Sequence, residues 1–169
     1  MKRLISILFC ICMFLPLFGC AQEETIQKPV TFYYRRSEVA YGVSDGVIAT
    51  EQRESLGHED DISYLLAQYL SGPQSGKLAQ TFPDDLVIVS LHYENNLAKI
   101  IFSYHLAELS GLDLTIACVC VTKTVIELTG VEAVQMSAAG ELLNEYQSIT
   151  MDSDCLLLLD TVHKQNNSH

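Results

Sequence analysis

The stretch Glu59-Asp60-Asp61-Ile62-Ser63-Tyr64-Leu65-Leu66-Ala67-Gln68-Tyr69-Leu70-Ser71-Gly72-Pro73 carries the strongest folding signal in this sequence. Ile62, Leu65, Leu66, Tyr69 and Leu70 recur at the spacing of one face of an α-helix. Three acids precede the run, where negative charge complements the helix dipole, and Gly72-Pro73 supplies a stop. A helix with one apolar stripe needs a partner surface, and the chain on either side of it is rich in strand-forming residues. Upstream, Val30 to Arg36 is β-branched and aromatic and reads as a strand, with Val47 to Thr50 as a short partner and Asp45-Gly46 as the turn between them. Downstream, Pro83-Asp84-Asp85 turns into two β-rich runs, Leu86 to Tyr93 and Leu97 to Phe102. These lie on either side of Glu94-Asn95-Asn96 and predict a hairpin.

From Leu112 to Leu128 the chain is apolar, with scattered Thr. Its length, and Gly130 placed to cap its end, favour a buried helix over a strand. Val131 to Met136 reads as a strand with a turn near Ala139-Gly140. Cys155 to Leu159 is a further short apolar run that would add an edge or terminal strand. The order strand, helix, hairpin, helix, strand implies an α/β class fold, an α+β sandwich with its helices packed on one face of a small mixed sheet.

The N-terminus speaks about location. Lys2 and Arg3 precede an apolar run from Leu4 to Phe18 that ends at Gly19-Cys20, the layout of a signal peptide over 1–19. A spanning helix needs about 20 apolar residues, and this run is shorter and holds Pro16. Leu17-Phe18-Gly19-Cys20 resembles the bacterial lipobox, with Phe18 where a small or β-branched residue is usual. That resemblance implies diacylglycerol on Cys20, cleavage before it, and residence on the outer face of the cell membrane. Two acyl chains at about 0.8 kcal/mol per buried methylene hold a protein stably. Residues 20–29, polar and ending at Pro29, read as the lipidated terminus and tether, 30–160 as one domain, and 161–169 as a flexible tail.

The formal net charge is −11, and losing Lys2 and Arg3 with the signal takes it to −13. Such a surface repels phosphate backbones and anionic headgroups, so no nucleic-acid partner is expected. Of the cysteines, Cys118, Cys120 and Cys155 remain after processing. Three is an odd number, so at most one disulfide is available, and burial as small apolar side chains is favoured.

The chemical motifs are weak. Gly42-Val43-Ser44-Asp45-Gly46 matches a nucleophile elbow in letters, but an elbow needs a helix after it and a β-rich run follows here. Cys118-Val119-Cys120 would chelate a metal on a strand, whereas on a helix the two thiols diverge. His58, His92, His105, His163 and His169 lie apart. Asp152-Ser153-Asp154 lacks the glycine and closing glutamate of a calcium loop. Asn166-Asn167-Ser168 satisfies a glycosylation pattern that a bacterial lipoprotein does not use. Neither a catalytic residue, a metal nor a cofactor is expected. Tyr33, Tyr34, Tyr64, Tyr69, Tyr93 and Tyr104 are divided between core and surface, and any that cluster outside are candidate anchors for a partner.

Several phrases together resemble the GerMN domain, a module of spore germination and sporulation lipoproteins. They are Val30-Thr31-Phe32-Tyr33-Tyr34, Tyr69-Leu70-Ser71-Gly72-Pro73, Phe82-Pro83-Asp84-Asp85, Ile100-Ile101-Phe102-Ser103, and Thr124 through Val134. One copy is present. The resemblance implies a non-enzymatic interaction and assembly module at the surface of a spore-forming or related bacterium; joined to the lipobox, it gives a module tethered through Cys20 with an envelope protein as its expected partner. The alternative reading is a lipoprotein that binds a small ligand or cell-wall fragment in a concave site lined by aromatics.

Overall fold

The computed structural model describes residues 28–38, 46–140 and 148–154. The expected signal peptide, Cys20, most of the expected tether, the run Cys155 to Leu159 and the expected tail lie outside the described residues. Strand β1 (Pro29–Arg36) pairs antiparallel with β2 (Ile48–Glu54), and its far end pairs with the two-residue β3 (Leu78–Ala79), giving the order β2-β1-β3. A second sheet has the order β4-β5-β6-β7, from β4 (Ile88–Glu94), β5 (Leu97–Phe102), β6 (Ala133–Ala138) and β7 (Ile149–Asp152). Helix α1 (Ile62–Leu70) follows the first hairpin, and α2 (Gly111–Thr129) crosses between β5 and β6, which pair in parallel. The α+β class and the element order agree with the sequence. The strands, however, divide between two sheets, where a single small mixed sheet was expected. β2 runs four residues beyond Thr50, and β7 is a strand where the sequence pattern placed none.

Local chemistry explains these elements. Asp61 caps α1, its Oδ1 accepting the Tyr64 N–H at 3.0 Å, which satisfies one of the donors a helix start leaves open. α2 ends at Gly130, whose φ of 73° is the left-handed cap conformation that a side chain resists. Asn95 and Asn96 both have positive φ (48° and 65°), so the β4–β5 hairpin turns on the two-residue geometry that matches strand twist.

An aromatic chain ties the two sheets together. Phe32 and Tyr34 of β1 meet Tyr69 of α1 at ring-centroid distances of 5.7 and 4.9 Å, Tyr69 meets Phe82 at 5.8 Å, and Phe82 meets Phe102 of β5 at 6.4 Å. Aromatic pairs at such spacings contribute about 0.5–1.5 kcal/mol each beyond their area. α2 packs on β1 and on β6 and β7, burying Ala117, Cys118, Cys120, Val121 and Val125. The helices also finish the hydrogen bonding of β1. At Tyr33, among the described residues, no strand lies on the side away from β2; the N–H donates instead to Thr124 Oγ1 of α2 at 3.0 Å, and the C=O accepts from Tyr69 Oη of α1 at 3.0 Å. Side chains from the two helices thus stand in for a neighbouring strand.

A buried ion pair fastens the end of α1 to the first sheet. Arg53 Nε donates to Glu51 Oε1 at 2.7 Å, Nη1 to Gln68 O at 2.9 Å, and Nη2 to Tyr34 Oη and Gly72 O. The positive guanidinium therefore sits on the last carbonyls of the helix, where its charge is favoured. Glu51 in turn accepts the N–H groups of Gln74 (3.0 Å) and Ser75 (2.8 Å). Burial by itself raises the Glu51 pKa, but those two N–H groups and Arg53 outweigh it and hold the carboxyl below the ordinary range.

Candidate functional site

α1 turns Leu65, Leu66 and Tyr69 into the core, which leaves Ser63, Ala67, Leu70 and Ser71 along its other side. β4 is the end strand of its sheet, with β5 on one side and, among the described residues, no strand on the other. Between this side of α1 and β4 runs a groove of about 500 Å³, walled by Ser63, Ala67, Leu70 and Ser71 and floored by consecutive residues from Leu86 to Leu91, with Asp84 at one end. Ile88 to Leu91 belong to β4, and consecutive residues of a strand point to alternate faces, so a groove lined by all four meets the strand at its edge. Val87 and Val89 are 56% and 58% exposed, an unusual state for β-branched side chains this close together.

At its other end the groove continues into a shallower, more polar depression of about 580 Å³, formed by Gly57, His58, Asp60, Asp61, Ile62, Ser63, Leu91 and Tyr93. His58 stacks on Tyr64 at 4.0 Å between centroids, and Tyr93 is 49% exposed. Burial raises the Tyr93 pKa, so its hydroxyl stays a neutral donor at ordinary pH. The ends of the combined groove are acidic, with Asp60 and Asp61 at one and Asp84 at the other, and no Lys or Arg lines it.

The motifs read from the sequence fare differently. Gly42 to Asp45 lie outside the described residues; Gly46, at φ 67°, leads directly into a strand. Cys118 and Cys120 are buried free thiols on α2, and burial pushes their pKa values up to about 11 and about 12, which keeps both protonated and unreactive. Among the described residues no group of His, Cys, Asp and Glu is placed to hold a metal ion. His92 is exposed on β4, and His105 Nδ1 lies 2.7 Å from Glu108 Oε1. Asp152 ends β7, with Asp154 in the turn beyond it. Cys155, His163, His169 and Asn166 to Ser168 are outside the described residues. Of the tyrosines, Tyr34 and Tyr69 are core, Tyr33 and Tyr64 are half-buried, Tyr93 borders the groove, and Tyr104 stands exposed beside His105. The interaction-module reading implies a sheet edge or apolar patch left open, but the sequence did not locate the groove. Its one available signal was Val87 and Val89, apolar residues flanking a strand start that follows two aspartates.

A two-sheet α+β domain with an open groove beside an edge strand is thus the kind of molecule in hand. Its sequence matches the family model "Germane: Sporulation and spore germination" over residues 31–144, and the chain belongs to that family. It is accordingly a sporulation- and germination-related protein. Among solved structures it is similar to the tandem GerMN domains of the sporulation protein GerM from Bacillus subtilis, with a TM-score of 0.53 at 20% identity, over 80% of this chain and 48% of that one. This chain therefore spans about half of that tandem structure, and at this identity the likeness concerns the fold alone. A Clostridium perfringens protein assigned as a lipoprotein aligns more loosely, with a TM-score of 0.43 at 15% identity, over 76% of this chain and 89% of that one. Among curated proteins none matches the sequence.

Proposed function

We propose that this chain is a lipid-tethered, non-enzymatic interaction module of the bacterial envelope that acts in sporulation or spore germination. Cys20 carries the diacylglycerol anchor on the outer face of the cell membrane, and the domain engages an envelope protein. The observation that carries this reading is the open groove between α1 and β4. Its wall is mostly small side chains, Ser63, Ala67 and Ser71 beside Leu70, its floor is a strand edge, and the Asp61 carboxylate in the adjoining depression is already occupied in capping α1. Such a groove suits recognition of a polypeptide better than chemistry on a small substrate. Among the described residues no helix is long and apolar enough to cross a membrane, and under this reading attachment depends on Cys20.

The test is crosslinking of a tagged chain in growing and in sporulating cells, with identification of what is captured. A reproducible envelope-protein partner in sporulating cells that disappears in Cys20→Ala supports the reading. An abundant anchored chain that captures nothing in either state overturns it. A second reading, a receptor for a cell-wall fragment, draws on the polar end of the groove, where Tyr93 stands beside Asp60 and His58. A muropeptide that binds only the folded chain would raise its melting temperature.

A further inference from the structure

We infer that the groove takes an extended strand of a partner protein, apolar at alternate positions and bearing Lys or Arg at its ends, which pairs with the open edge of β4. This rests on the interaction-module reading and specifies its binding surface. Edge strands present unpaired N–H and C=O groups, and proteins blunt them with charge, proline, shortness or cover. Among the described residues the other edges are blunted in that way, the two-residue β3 by its shortness. β2 carries Glu51, Arg53 and Glu54, β7 has four residues, and the free side of β1 at Tyr33 is closed by Thr124 and Tyr69. β4 is treated differently, with a register shift near its start in place of shortness or cover. Its seven residues begin Ile88-Val89-Ser90-Leu91, and Val87 and Val89 stand more than half exposed.

A register shift between Ile88 and Ser90 keeps this edge from being flat, which disfavours indiscriminate pairing and suits a partner whose own chain matches the offset. Strands pair at a spacing of about 4.7–4.9 Å, and the wall opposite β4 is built of small side chains at Ser63, Ala67 and Ser71. Seven residues of β4 correspond to about 23 Å of partner strand.

Charge selects among occupants. Asp60 and Asp61 at one end and Asp84 at the other leave the groove without a lining cation, so a complementary strand brings its own cations to both ends. A second copy of this chain, itself strongly acidic, and anionic lipid headgroups meet the same acids with like charge.

The experiment uses the full chain purified in detergent and a displayed library of random decapeptides, with the winners then measured against Ala67→Arg. That substitution sits on the exposed side of α1 and fills the groove without entering the core. The expected winners have apolar residues at alternate positions and Lys or Arg towards both ends. Methylating alternate backbone nitrogens of a winning peptide weakens binding at least about tenfold for one of the two sets and little for the other, because only one set faces β4. The paired change Asp60→Lys and Asp84→Lys, with circular dichroism to verify the fold, weakens it comparably. Winners with helical spacing, winners with acidic ends, or equal binding to Ala67→Arg would overturn the inference. The two proposals separate in cells. If Ala67→Arg captures the same envelope partner as the natural chain while Cys20→Ala does not, the groove assignment fails and the tethered-module reading stands.

Discussion

Replacing Arg53 by Ala tests the account of how α1 is held. The guanidinium is 6% exposed and serves Glu51, Gln68 O, Gly72 O and Tyr34 Oη together. Removing it leaves the Glu51 carboxylate, 10% exposed, with the Gln74 and Ser75 N–H groups but no cation, and strips a donor from two carbonyls at the helix end. Breaking a buried pair in this way costs about 3–5 kcal/mol, a large part of the roughly 5–15 kcal/mol that stabilises an ordinary domain. In a domain of this size that corresponds to a fall in melting temperature of about 10–20 °C. Urea unfolding followed by circular dichroism measures it. The pH dependence adds a second check. Because the folded Glu51 pKa is lowered, its stabilisation is present above the unfolded carboxylate value of about 4.3 and is lost as pH falls through the folded value. The gap between the natural chain and Arg53→Ala should therefore be widest near neutral pH and narrow in acid. A loss of less than about 1 kcal/mol at neutral pH, or a gap that does not change on acidification, would refute the reasoning.

Three further outcomes follow from the same structure. Thr124→Val keeps the volume but removes the acceptor for the Tyr33 N–H, so it should cost about 1–2 kcal/mol and speed hydrogen exchange at Tyr33 while leaving the amides of β5 unchanged. Gly130→Ala meets no atom within 4 Å but must adopt φ near 73°, so a loss of about 1 kcal/mol in chemical denaturation is expected from backbone strain alone. Cys118 and Cys120, buried and with pKa values raised to about 11 and about 12, should resist a thiol reagent at pH 8 until the chain unfolds; rapid labelling of either in the folded protein would contradict their placement.

The helices were legible because their signals are local. In α1 a capping aspartate, an apolar stripe and a Gly-Pro stop all lie within one short stretch, and in α2 the length of the apolar run and Gly130 outweighed its β-branched content. The β4–β5 hairpin was legible for the same reason, its turn being written in Asn95-Asn96. The extension of β2 through Glu51, Gln52, Arg53 and Glu54 was not, because so charged a run resembles a loop until a buried partner is known. β7 was missed because four residues carry too little pattern.

The sequence by itself determined the α+β class, the order of the helices and hairpin, the family resemblance and the acidity of the surface, since each of these depends on residues near one another in the chain or on composition. Tertiary structure alone decided that the strands form two sheets, that Arg53 sits on the end of α1, and that Thr124 and Tyr69 close the free side of β1. It also opened the groove, bringing Ser63 and Ala67 of one element opposite Val87 and Val89 of another. Edge exposure and long-range side-chain pairing depend on which segments meet in space, and that is set by the balance of core packing over the whole domain, which no local pattern encodes.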